Sequence, residues 1–81
     1  MRARKLVKSD WIEIDGRAYL VDYFEGTTEH GTPRYTSEMV LGLGPGDRII
    51  VDGSSLSALE WRVARLMPAT VYSRTLARDD V

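Results

Sequence analysis

Between residues 11 and 24 apolar and polar residues alternate with a period of two, which marks strands that bury one face. Asp15-Gly16 interrupts the alternation. A type I′ turn needs positive φ at both central residues, and this dipeptide tolerates it. The pattern predicts a hairpin of residues 11–14 and 17–25. Ile14 then lies opposite Arg17, Ile12 opposite Tyr19 and Asp10 opposite Val21. Ile12, Ile14, Tyr19, Val21 and Tyr23 share the better core face. Trp11, Glu13, Ala18, Leu20, Asp22 and Phe24 share the other, a mixed face on which the Trp11–Leu20 pair asks for partial cover.

Residues 25–33, EGTTEHGTP, hold nothing apolar and read as a polar loop, long for a hairpin connection. Residues 34–43 predict a third strand. Tyr35, Ser37, Met39, Leu41 and Leu43 lie on one face of it, and Thr36, Glu38 and Val40 on the other. The glycine-rich stretch 42–47 reads as a turn. A fourth strand follows at 48–52, where Ile49-Ile50-Val51 predicts burial on both faces. Asp52-Gly53 ends it.

A helix is expected from about Ser55. Ser57-x-x-Glu60 fits a capping box, and Ser54 or Ser55 could cap one turn earlier. At roughly 100° per residue, Leu56, Leu59, Val63, Leu66 and Met67 form one apolar stripe. Trp61 and Arg65 are four apart, and so adjacent, on the opposite side. Pro68 is expected to kink or end the helix at Met67. Residues 69–77 fit two periods. As strand, Val71, Ser73 and Thr75 alternate with Tyr72, Arg74 and Leu76. As helix, Ala69, Tyr72 and Leu76 recur at i, i+3 and i+7. Helix is preferred, because proline is common at the first position of a new helix. Ala69, Tyr72 and Leu76 then continue the face of Trp61, not the core stripe.

These elements predict an α+β fold: a four-stranded, mainly antiparallel meander with a C-terminal helix packed on one face, kinked or broken at Pro68. A small open barrel is the alternative. The expected organisation is a flexible basic arm at 1–8, one domain at 9–78 and a tail at 79–81.

Length and composition sharpen this picture. A chain of 81 residues makes one domain with a thin core. It has no cysteine, which excludes disulfides and thiolate metal sites and leaves oligomerisation as a common source of extra stability. No apolar run approaches the roughly 18 residues of a membrane-spanning helix. The basic N-terminus leads into no apolar signal region, so a cytoplasmic protein without membrane insertion is expected. Net charge is −1 and unevenly spread. Residues 1–8 carry four bases and no acid, and residues 9–60 carry ten acids against Arg17, Arg34 and Arg48. In 61–81, Arg62, Arg65, Arg74 and Arg78 outnumber Asp79 and Asp80. Such segments can attract within one fold or between two copies.

No candidate chemistry outweighs an ordinary structural use. His30, the single histidine, shares a polar loop with Glu25 and Glu29. A metal wants three or four converging ligands, so a solvated loop is the better reading. Glu13 and Asp22 share a sheet face, which suits solvent-facing acids as well as a carboxylate pair. Gly42-x-Gly44-x-Gly46 runs into a strand rather than a helix, unlike a phosphate-binding loop. Ser54, Ser55 and Ser57 suit helix capping, and no nucleophile elbow surrounds them. No catalytic residue, cofactor, metal or small-molecule substrate is assigned.

Two binding readings remain. Arg62, Arg65, Arg74 and Arg78 with Trp61 and Tyr72 could meet phosphates and bases, although a pI near 5.7 argues against nucleic acid. Trp61, Arg65, Ala69, Tyr72 and Leu76 make a protein interface of the residue types that dominate binding hot spots. The expected protein is small, bacterial in type and non-catalytic. It acts through protein–protein contacts, with a homodimer as one form. A nucleic-acid-binding module using the arginine-rich C-terminal segment is the alternative.

Overall fold

The computed structural model describes residues 4–42 and 47–79, and the side chains of these except 75–79. Four strands and one helix follow in the order β1 (Lys5–Ile14), β2 (Arg17–Thr27), β3 (Pro33–Val40), β4 (Arg48–Gly53) and α1 (Leu56–Asp79). The strands form one sheet in the order β1-β2-β3-β4, each neighbour antiparallel, which is a meander. The helix packs on β4 and β3. The fold is therefore α+β, with two layers and uncovered sheet edges at β1 and β4 rather than a closed barrel.

The β1–β2 hairpin turns at Asp15 and Gly16, whose φ values are 52° and 80°. Ile14 pairs with Arg17, Ile12 with Tyr19 and Asp10 with Val21, as the turn type requires. Ile14, Val21 and Tyr23 are buried, with Ile12 and Tyr19 packed beside them. On β3 the same face continues through Ser37, Met39 and Leu41. Ser37 is buried, and its hydroxyl donates to the Val51 carbonyl at 3.3 Å, which offsets the cost of removing it from water.

Several expectations need correction. β1 begins at Lys5, so residues 5–8 belong to the sheet and not to a flexible arm; residues 1–3 lie outside the described residues. Lys5 pairs with Glu25, and a bulge between Leu6 and Lys8 restores the register. β2 runs to Thr27, so the loop shrinks to 28–32. The backbone amide of Thr28 donates to the Thr32 carbonyl at 2.9 Å, and the Thr28 hydroxyl accepts from the His30 and Thr32 amides. β3 stops at Val40, and Leu43 and the glycines of 44–46 lie outside the described residues. β4 buries Ile49 and Val51 on one face only, while Ile50 is 54% exposed.

The helix is a single run of 24 residues that passes through Pro68. Residues 69–77 are helix, neither broken off nor a strand. Proline at 68 removes the amide that would bond the Ala64 carbonyl. Ala64 and Pro68 are both exposed, so water can serve that carbonyl. On the opposite side Leu59, Val63, Met67 and Val71 are buried in an unbroken four-residue row that holds the helix to the sheet across the proline. Val71 takes the place expected for Leu66, which is exposed. The N-cap is Ser55, whose hydroxyl accepts from the Ala58 amide at 3.2 Å. Glu60 is not part of a capping box; its carboxylate accepts from the Lys8 ammonium at 2.8 Å and ties the helix to β1.

Candidate functional site

The unbroken helix brings the predicted interface together. Trp61, Arg65, Ala69 and Tyr72 lie within about 80° of one another at 100° per residue. Trp61 is 63% exposed and Tyr72 59%, and Arg65 and Ala69 are also exposed. The side chain of Leu76 lies outside the described residues. The guanidinium carbon of Arg65 stands 4.8 Å from the centre of the Trp61 ring, a cation–π stack four residues apart on one helix. Trp61, Arg62, Arg65 and Leu66 line a shallow depression of about 280 Å³.

Charge along this stretch of the helix is one-signed. Residues 61–74 include Arg62, Arg65 and Arg74 and no carboxylate. Arg74 is drawn away to Asp47 beyond the β3–β4 turn. Arg62 donates to the Asp52 carbonyl at 2.9 Å and so satisfies a backbone acceptor on edge strand β4. Arg65 makes the aromatic contact alone among the ion pairs and stacks described. Glu60, at the border, is turned toward Lys8.

The remaining sequence candidates separate. Glu13 stands opposite Ala18 and Asp22 opposite Ser9, four residues apart along β1, and Asp22 accepts from the Ser9 hydroxyl at 2.6 Å. Glu25 lies on β2 and His30 in the 28–32 turn, and among the described residues no three histidine, aspartate or glutamate side chains converge as metal ligands. Of the arginines offered for nucleic acid, Arg62 and Arg74 are engaged within the fold, and the side chain of Arg78 lies outside the described residues.

Sequence reasoning undervalued a second surface. The sheet face away from the helix exposes Trp11 (69%), Leu20, Val40 and Ile50. A depression of about 560 Å³ opens at its hairpin end, lined in part by Trp11, Ala18, Leu20 and Val40. The signal present in the sequence was the Trp11–Leu20 pair. What could not be seen was that Val40 and Ile50 extend it across the sheet.

Among the described residues no helix is long and apolar enough to cross a membrane. Comparison with protein-family models finds no match, and comparisons with curated proteins and with solved structures likewise find none.

Proposed function

We propose that this chain is a non-catalytic contact module of the cytoplasm that docks the outer face of α1 on an acidic partner protein. One observation carries the reading: Trp61 and Tyr72 stay exposed on one face of a continuous helix whose core side is already complete. Large aromatic surface beside arginine is what protein hot spots use. Arg65, stacked on Trp61, is held before any partner arrives, so little side-chain freedom is lost on docking. A cationic face without carboxylates selects a partner with acidic groups around an apolar patch. The same charge disfavours pairing of this face with itself. Nucleic acid is the weaker occupant, because counterion-driven binding draws on several phosphate contacts and this face offers few uncommitted cations. A chain without cysteine suits a reducing compartment.

The test is calorimetric titration of the protein with an amphipathic helical peptide built of leucine and glutamate, beside duplex DNA as competitor. Saturable peptide binding that Trp61→Ala weakens at least about ten-fold, and that Arg65→Glu weakens further, is expected. Absence of peptide binding, equal binding by both variants, or preference for DNA at this face would overturn the reading.

A further inference from the structure

The two edges of the sheet are not alike. On β4 the Arg62 side chain donates to the Asp52 carbonyl and occupies an edge acceptor. β1 is longer, ten residues from Lys5 to Ile14, and lies across the sheet from β4 and β3, on which the helix packs. Ile14 and Arg17 flank the two-residue turn and bond each other across it. Ile14, Ile12 and Asp10 therefore turn their backbone groups toward β2, and Ser9, Trp11 and Glu13 turn theirs outward. All three outward residues are exposed, and among the described residues no loop or cap hydrogen bond reaches their backbone.

Charge along β1 divides at Ser9. The bases Lys5 and Lys8 come before it, and the acids Asp10 and Glu13 follow at matching spacing. Basic side chains and a bulge, here at Val7, keep an edge from pairing with arbitrary strands. They do not hinder an antiparallel strand that carries acids where this one carries bases. β1 is itself such a strand.

We infer that the β1 edge pairs with a second copy of itself, antiparallel, about a twofold axis at Ser9 and perpendicular to the sheet. Ser9 then bonds the partner's Ser9 through both backbone groups. On the helix side Lys8 faces the partner's Asp10, and Asp10 faces the partner's Lys8. Their backbones bond β2 instead of each other, which brings this cross-strand pair closest. Lys8 also holds its own Asp10 at 2.8 Å, so the four side chains form a square of alternating charge. Val7 is the extra residue of the bulge, and beyond it the register advances by one. On the open side Leu6 then meets the partner's Trp11, apolar on apolar, and both are exposed in the single chain. Arg4, just before β1, meets the partner's Glu13. An axis at Lys8 or at Asp10 would set that residue on its own copy, like charge on like. An axis at Trp11 would set Lys8 and Asp10 against the partner's Ile14 and Ile12. Main-chain hydrogen bonds supply the affinity, as in other strand additions. A single edge is small beside the roughly 800 Å² per partner of a standard interface, so the dimer is weak and concentration-dependent. This edge does not include Trp61, and the inference is independent of the helix-face reading.

Sedimentation equilibrium and amide hydrogen exchange of the unliganded chain test it. A reversible dimer is expected, with the Ser9 and Trp11 amides gaining protection as concentration rises. Ser9→Pro removes the amide at the axis, which faces solvent in a single chain, so the sheet should persist while the dimer weakens at least about ten-fold. The chain lacks cysteine, so Ser9→Cys supplies one thiol per copy. Across the axis its Cα atoms lie about 5.5 Å apart, within disulfide range, and it should oxidise to a linked dimer. Glu13→Cys, exposed on the same edge, should not link, because strand rise sets its two copies roughly 26 Å apart. The cysteine pair reads the register even where proline disturbs the strand. A wild-type chain that stays monomeric at millimolar concentration, a folded Ser9→Pro that dimerises like wild type, or Glu13→Cys that links as readily as Ser9→Cys would overturn the inference. None of these readings involves the acidic peptide or Trp61.

Discussion

A Cβ placed on Gly53 would lie 2.9 Å from the Cβ of Leu59 and 3.0 Å from its Cα. Gly53 ends β4, and Leu59 is the first fully buried residue of α1. The helix therefore approaches the strand as closely as the missing side chain permits. Gly53→Ala must push the helix backbone outward, not merely a side chain. It should cost about 1–3 kcal/mol, the usual range for overpacking a formed core. Gly26→Ala is the control, because its nearest neighbour, Arg4 Cβ, is at 3.8 Å. Urea unfolding should separate the two, with Gly26→Ala within about 0.5 kcal/mol of wild type.

Pro68 offers the opposite experiment. It interrupts the helical hydrogen bonding at a solvent-facing position, while Met67 and Val71 on either side of it are buried. Pro68→Ala returns an amide to the Ala64 carbonyl and adds no bulk. Interior proline costs a helix about 3 kcal/mol, partly offset because proline also restricts the unfolded chain. A net gain of about 1–2 kcal/mol is expected, seen as a rise of several degrees in thermal midpoint for a domain of this size. A loss of stability would mean that proline at this residue is needed for the row from Leu59 to Val71 to reach the sheet.

These positions show where local reading succeeds and where it stops. The hairpin register was legible because Asp15-Gly16 admits one turn type and alternation then places every side chain. The uncovered face of β4 was not legible. An Ile-Ile-Val run looks the same whether its second face is covered or left open, and here Ile50 faces away from the helix. The helical course through Pro68 depended on Val71 resuming the row of Met67, a tertiary gain that outweighs the local rule. Residues 5–8 lacked any alternation. Their strand comes from long-range partners, Glu25 across the sheet and Glu60 on the helix. Trp61, Arg65 and Tyr72 could be grouped from spacing alone because they share one element, whereas the Trp11–Ile50 surface needed all four strands in register.

Lys8 links three elements, and this gives the fold an alkaline limit. Its ammonium lies 2.8 Å from Asp10 and 2.8 Å from Glu60, and 5.1 Å from the Tyr23 ring centre. Hydrogen bonds that the ammonium donates to Asp10 and then to Glu60 raise the Lys8 pKa above its ordinary 10.5. Burial raises the Tyr23 phenol above its ordinary 10.0, against the nearby lysine charge. Both groups hold their protons more tightly when folded. Their contribution is complete below about pH 10 and is lost as pH climbs through the raised folded values. Stability should therefore fall on the alkaline side, and Glu60→Gln should lessen the part due to Lys8. In absorbance titration Tyr23→Phe should remove a phenolate that ionises late. Loss of phenolate absorbance near the ordinary 10.0, rather than above it, would show that Tyr23 is not held neutral by the fold.

Trp61 and Met67 sit on the same helix with opposite consequences. Met67 is fully buried, so Met67→Ala should cost about 2–5 kcal/mol, the range for truncating a core side chain. Trp61 is the larger side chain, yet most of it is exposed, and its described partner is Arg65. An exposed cation–π pair contributes about 0.5–1 kcal/mol, which sets the upper limit for Trp61→Ala. Tyr72→Ala should be smaller still. If guanidinium melts reproduce this order, the energy of the fold lies on the Leu59–Val71 row and the aromatic face is free to spend its surface on a partner. A Trp61→Ala loss comparable to Met67→Ala would instead place the indole inside the fold in solution, and the helix-face reading would lose the exposure on which it stands.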